Sequence, residues 1–221
     1  MQESRPPDHE QISIVFVGSF NPKIFQPAWF AAQELIRPEE ANEADVQVIS
    51  NDVSIFETSW FRLEALNDRW MLLSRATPAL ETIRDLSEST FRILRHAPIQ
   101  KVGLNAHAHF AMPSREALDA FGHALAPKED YWRPVMRDPR LQSLTIVDER
   151  TDDHSGVVRA KVEPSARVPG GLFVDINDEY HDTDSLSADW AVELLNEEWD
   201  NHRDRVISIR ENIVTKAWEM R

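Results

Sequence analysis

QKVGLNAHAHFAM, residues 100–112, is the stretch on which the fold turns. Val102, Leu104, Ala106, Ala108, Phe110 and Met112 alternate with Gly103, Asn105, His107, His109 and Ala111. Successive side chains of a strand point to opposite faces, so this period of two predicts a half-buried β-strand with one apolar and one polar face. Pro113 ends it, because proline has no N–H to give to a ladder. The stretch lies near the middle of the chain, and the order of elements before it begins again after it. It also holds the most compact cluster of potential chemistry, Asn105-Ala106-His107-Ala108-His109.

Upstream, Gln11–Phe20 is β-branched and aromatic and reads as a buried strand, stopped at Asn21-Pro22. Pro27–Ile36 predicts a helix, with Pro27 in its first turn and Trp29, Phe30, Ala32, Leu35 and Ile36 on one face. After an acidic connector, Arg37–Asp45, three strands are expected: Val46–Ser50, Ser54–Leu63 and Arg69–Arg75, the last entered through the turn pair Asn67-Asp68. Thr77-Pro78 marks a helix start, and Leu80, Ile83, Leu86 and Phe91 recur at helical spacing through His96.

Downstream, Arg115–Leu125 predicts a helix with Leu118, Phe121 and Leu125 inward, followed by an irregular segment, Ala126–Arg140. Strands are expected over Leu141–Asp148, Val157–Glu163 and Leu172–Asn177, separated by Asp152–Gly156 and by Pro169-Gly170-Gly171. An acidic loop, Asp178–Asp184, precedes a last helix that Ser187 caps and that Trp190, Leu194, Leu195, Trp199, Val206, Ile209, Ile213 and Ala217 line. At about 1.5 Å per residue that helix is roughly 45 Å long, enough to project from the body or meet a second copy. The fold class is therefore α+β: a flexible tail (1–10) and two similar strand-helix-three-strand-helix halves, 11–99 and 100–221. Helices back their antiparallel sheet or sheets, and the two halves can form one compact domain.

Composition narrows the function classes. A net charge of −14, from 38 acidic against 24 basic residues, repels phosphate backbones and disfavours sequence-independent nucleic-acid binding; it suits a basic partner. The absence of cysteine excludes disulfide scaffolds, zinc–thiolate sites, iron–sulfur clusters and cysteine nucleophiles. The opening MQESRPPDHEQ has no apolar core of a secretory signal, and the apolar run Ile12–Val17 is too short to cross a bilayer, so a cytoplasmic protein without membrane contact is expected. The six glycines form neither G-x-G-x-x-G nor G-x-x-x-x-G-K-[ST]; G-x-S-x-G and H-E-x-x-H are absent too, and no cofactor is expected.

His107 and His109, two residues apart on a strand, project from one face. That arrangement suits two nitrogen ligands to Zn²⁺, Fe²⁺ or Ni²⁺, or an acid and a base flanking one substrate atom. Asn105 continues the row, and a third ligand would come from His123, His154, His181 or a carboxylate. The competing reading is a polar sheet face that meets water or a helix. Asp175–Asp184 has the composition of a hard-cation loop but lacks the glycine and final glutamate of an EF-hand, so it reads as a solvated loop before a helix N-terminus. Trp29, Phe30, Trp60, Phe61 and Trp70 read as core; the exposure of Trp190, Trp199 and Trp218 decides whether the last helix is a dimer face.

Three features carry a family resemblance: the helix from Thr77 leading into Ile99–Phe110 (IQKVGLNAHAHF), the run Gly171–Asn177 (GLFVDIN), and the long helix around 190–215. Across about half of its length the chain resembles a sporadically distributed family of uncharacterised bacterial proteins of similar size. It departs from that pattern at Asn105–His109, where the family has a more basic, aromatic row. The resemblance implies an α+β protein often carried with mobile genetic elements, and it transfers no catalytic residue. The expectation is a non-enzymatic, cytoplasmic interaction or assembly protein. Its partners are proteins, including a second copy, in a mobile-element, phage-defence or toxin-neutralising system. The alternative is a metal-dependent or His-based hydrolytic enzyme that uses His107 and His109.

Overall fold

A computed structural model describes residues 5–74, 80–182, 184 and 187–220. Among these residues nine strands form one antiparallel sheet. They are β1 (His9–Gly18), β2 (Asp45–Ile49), β3 (Val53–Glu57), β4 (Phe61–Leu66), β5 (Arg69–Ser74), β6 (Ile99–Phe110), β7 (Leu144–Glu149), β8 (Ser155–Pro164) and β9 (Leu172–His181). Their order across the sheet is β2-β3-β4-β5-β1-β6-β9-β8-β7. Five helices accompany them: α1 (Pro27–Ala32), α2 (Pro38–Asn42), α3 (Leu80–Ile93), α4 (Arg115–Leu125) and α5 (Asp189–Glu219).

The alternating stretch becomes the inner strand β6, paired with β1 from His9↔His109 to Gly18↔Ile99 and with β9 from Lys101↔His181 to Phe110↔Leu172. Val102, Leu104, Ala106, Ala108 and Phe110 are all buried, as the period of two requires. α1, α3, α4 and α5 bury side chains on this one face of the sheet, over two apolar clusters, and α2 packs against α1. The first lies under β1 and β3–β5 and is aromatic: Phe16 stacks on Trp70 at 5.4 Å, and Phe91 of α3 meets both edge-on. The second lies under β6, β8 and β9 and is built from smaller side chains, among them Ala106, Ala108, Val174 and Ile176. α5 spans both clusters, with Leu195 and Trp199 in the first and Val206, Val214 and Ala217 in the second. Its 31 residues, about 46 Å at the helical rise, lie along the sheet instead of projecting from it. Trp199 is buried accordingly and offers no dimer face.

Several boundaries differ from the sequence reading, each for a local reason. β1 starts at His9, two residues earlier than expected. Ser54–Leu63 is two strands, not one. The Thr58 hydroxyl accepts the Trp60 and Phe61 N–H groups and closes a tight turn inside an apolar run, giving four strands between α2 and α3 where three were expected. The helix expected over 27–36 stops at Ala32, and Glu34 takes a left-handed φ of 58°. Part of the acidic connector is helical: the Arg37 N–H donates to Glu40 at 3.0 Å across the first turn of α2. Asp178–His181 is not loop but the last four residues of β9. α4 has its expected span, with the Ser114 hydroxyl accepting from the Ala117 N–H. Thr77-Pro78 lies outside the described residues. No helix among the described residues is long and apolar enough to cross a membrane.

Candidate functional site

The row Asn105, His107, His109 faces away from the helices. Across the strand pairs it meets Asn177, Asp175 and Phe173 of β9 and Ser13, Gln11 and His9 of β1. Asn177 Nδ2 donates to Asn105 Oδ1 at 2.6 Å, and Asn105 Nδ2 donates to the Ser13 carbonyl at 3.4 Å. Arg159 Nη1 donates to Asn177 Oδ1 at 3.0 Å and to Glu179 Oε2 at 2.6 Å. His181 Nε2 lies 2.5 Å from the other Glu179 oxygen. Burial pushes the Glu179 carboxyl up, but the hydrogen bonds from Arg159 and His181 outweigh it and hold the group at about 2.

The two histidines share a side but not a target. His109 sits against the Phe173 ring at 4.7 Å, and its Nδ1 is 2.8 Å from Ser165 Oγ. Ser165 Oγ already accepts the Arg167 and Val168 N–H groups, so its proton is free to be donated to His109. His107 Nε2 lies 3.9 Å from Asp175 Oδ1, beyond hydrogen-bond distance. Burial pushes both imidazoles below the ordinary histidine value. For His107 the attraction of Asp175 is overcome, with Lys161 and Arg167 adding to the depression; for His109, Arg167, His9 and His107 add to it. Both rings are therefore neutral bases near pH 7.

The histidines considered as third ligands are held elsewhere. His123 pairs with Glu129, His154 with Glu198 and His181 with Glu179. His181 faces Lys101, six residues along β6 from His107, a separation of about 20 Å at the strand rise. Among the described residues, no group of three or more His, Asp or Glu side chains is placed to hold a metal ion.

A second constellation, which the sequence reading missed, lies on the helix side. Asp178 occupies the inward row of β9 and is fully buried. Its Oδ2 accepts from His202 Nδ1 at 2.8 Å and from Arg205 Nη1 at 2.5 Å, both on α5. Arg150, 1% exposed, donates to Asp152, lies 3.7 Å over the Tyr180 ring and comes within 3.8 Å of Glu198. The Tyr180 hydroxyl donates to Glu198 at 3.2 Å. Burial, reinforced by the Asp178 charge, pushes the Tyr180 hydroxyl up, so it stays a donor. For Arg205, burial acts against the charge and Asp178 more than restores it, leaving the guanidinium above its ordinary value. Burial would also push Asp152 up, but the Arg150 hydrogen bond and the His154 N–H hold it below the usual carboxylate range.

A carboxylate without water is tolerable only when its charge is matched and its lone pairs are used. Asp178 meets that requirement through Oδ2 only, and so joins β9 to the middle of α5. The match is incomplete: Arg150 Nη1, Asp178 Oδ1 and His202 Nε2 are buried without a hydrogen-bond partner, and Nη1 and Oδ1 stand 3.9 Å apart. Two signals point to this cluster from the sequence. The inward period Leu172, Val174, Ile176 continues through residue 178 to Tyr180, and Glu198, His202 and Arg205 interleave with the apolar stripe Leu195, Trp199, Val206.

Two cavities among the described residues lie away from the histidine row. One of about 330 Å³ opens between α4 and the end of the β8–β9 pair, floored by Leu118, Phe121, Leu141 and Val162 with Arg115 and Arg140 at its rim. Another, of about 280 Å³, lies beside the buried network between β7–β8 and α5. No protein-family model matches the chain, and no characterised protein shows significant sequence similarity to it.

Proposed function

We propose that this protein is a non-enzymatic, cytoplasmic interaction protein that works as a subunit of an assembly. A bacterial mobile-element, phage-defence or toxin-neutralising system is the setting that the family resemblance implies. The observation that carries the reading is the one-sided packing: α1, α3, α4 and α5 bury their side chains on one face of the sheet, and the face that holds Asn105, His107 and His109 receives none of them. At about 4.8 Å per strand, nine strands give an open face roughly 40 Å wide. Its ionic side chains engage one another, as Arg159 does Glu179 and Arg62 does Glu57, and do not converge on a cleft. Half-buried Val15, Val17, Met71 and Leu73 lie among them. A broad, pre-ordered surface of this kind fits a macromolecule better than a small substrate.

The sheet order also favours two like halves. In each, the last strand of the meander returns beside the first strand, β5 to β1 and β9 to β6, and β1 and β6 join the halves. The test is the native mass of the purified protein, together with identification of what co-elutes from its host. An assembly of defined stoichiometry is expected; a monomer with no co-eluting protein refutes the reading.

The Ser165–His109 hydrogen bond favours a second reading, His-based hydrolysis on the open face. Turnover of activated esters that disappears in both Ser165→Ala and His109→Ala variants would establish it. An equal background rate in all three proteins removes it.

A further inference from the structure

The two edges of the sheet are built differently. β2 is blunted: its register against β3 shifts between Val46 and Val48, which leaves Gln47 in a bulge. The Gln47 amide is also occupied, donating to Glu57 at 3.2 Å and accepting from Arg62 at 3.1 Å. Bulges and charged side chains on an edge prevent another chain from pairing with it. β7 has no bulge, and its charges, Asp148 and Glu149, are confined to its C-terminal end. It runs in unbroken register with β8 from Leu144↔Val162 to Glu149↔Val157 and contains no proline, glycine or lysine. Its outer row of N–H and C=O groups meets no other strand. Ile146 and Val147 stand 59% and 54% exposed on opposite faces. On the helix side, Ile146 borders the 280 Å³ groove with Val158, Ala160 and Ile209.

We propose that β7 is a homodimerisation edge, on which a second copy lays its own β7 antiparallel about a two-fold axis through Ile146. The inference rests on the association reading and names its partner. In this register Ile146 faces its symmetry mate beside the apolar groove, Thr145 faces Val147, Leu144 faces Asp148 and Ser143 faces Glu149. Only the uncharged centre, Thr145–Val147, pairs with itself, and each acidic strand end, Asp148-Glu149, meets the neutral Ser143-Leu144 of the other copy. Parallel pairing in register would instead set Asp148 on Asp148. A six-residue strand, about 20 Å long, does not supply the roughly 800 Å² per partner of a stable interface. The segment between α4 and β7 carries further exposed apolar side chains for a second copy to cover, with Tyr131 and Val135 about four-fifths exposed and Trp132 and Met136 half exposed. Aromatic residues and methionine are the side chains that interface cores favour.

Sedimentation equilibrium over a concentration series tests this on the full chain. Wild type is expected at twice 25.5 kDa. Ile146→Lys and Val147→Lys, on opposite faces, are each expected to weaken the dimer by about 100-fold, because the two-fold axis places each charge twice. Val46→Lys on the blunted edge leaves the dimer unchanged. Near-UV circular dichroism confirms that each variant is folded. A dimer that survives both β7 substitutions overturns the edge but leaves the association reading intact. A wild-type monomer overturns the homodimer, and the association reading then depends on the co-elution test.

Discussion

Replacing Asp178 by asparagine keeps the shape of the side chain and removes its charge from the buried network. Three consequences set the size of the effect. His202 Nδ1 loses a charge-assisted acceptor at 2.8 Å in a site that is 1% exposed. Arg205 loses its 2.5 Å partner, but its side chain is 26% exposed and can turn toward Asp152 and water. Arg150 is fully enclosed yet keeps Asp152 and Glu198. Breaking a buried ion pair from one side costs about 3–5 kcal/mol. The escape open to Arg205 places Asp178→Asn at the lower end, about 3 kcal/mol. For a chain of this length that corresponds to a fall in Tm of roughly 6–12 °C. Urea unfolding followed by tryptophan fluorescence measures it directly, since the Trp199 ring lies 6.3 Å from His202. Asp175→Asn is the control: its nearest cation candidate, His107, is 3.9 Å away on the open face, and a loss below about 1 kcal/mol is expected. If Asp178→Asn is as mild as the control, the network does not hold α5 to the sheet.

Three further outcomes are expected. Glu179, held at about 2 against an ordinary 4.5, takes up its proton in the unfolded chain first, so its stabilisation is complete above pH 4.5 and is lost as pH falls toward 2. On the order of 2–3 kcal/mol disappears over that window, and Glu179→Gln flattens this limb in urea midpoints measured against pH. His107 and His109 are both depressed below 6.5, so the unfolded chain again protonates first and stability falls as pH drops below 6.5. His107→Gln/His109→Gln removes that slope in the same titration, with Asp175, Lys161, Arg167 and His9 left as the neighbouring charges. Gly156, at φ +141°, has no room for a Cβ, which would sit 2.0 Å from the Glu179 carbonyl oxygen. Gly156→Ala is expected to cost about 3 kcal/mol by the same unfolding assay.

The parts of this molecule that were legible in the sequence are those whose signal is local. The alternation from Val102 to Phe110 needs only neighbouring residues, and it places the buried row of β6 correctly. Ser114 and Pro113 set the start of α4 in the same way. Thr58 hides a turn because its hydroxyl acts within a run that is apolar on both sides, so periodicity reads straight through it. The end of β9 was lost for a different reason. Asp178, Glu179 and Asp182 have the composition of a loop, and only the counter-charges on α5, 24 and 27 residues away, make Asp178 tolerable inside. The histidine row was identifiable as a row, but which face of the sheet receives the helices is decided by long-range packing. So is the return of β5 to β1, which makes β7 and β2 the two edges.

The two halves of the core depend on different forces, and this ties the buried network to the edge. Under β1 and β3–β5 the stabilisation is aromatic burial, which is indifferent to pH and ionic state. Under β9 and α5 the small apolar side chains are supplemented by Asp178 and its cations. Arg150 is the first residue after β7, and its guanidinium is the point at which that network grips the turn leading into β8. The position of β7 therefore depends on charges buried behind it, not only on its ladder with β8. In Asp178→Asn the last residues of β7 lose part of their anchor while Ile146 and Val147 are untouched. The association constant of the proposed β7 dimer should accordingly weaken by about tenfold in this variant at temperatures where the protein remains folded, the loosened edge costing roughly 1.4 kcal/mol of association. An unchanged dimer constant in a destabilised variant would show that the ladder alone positions the edge and that network and interface are independent.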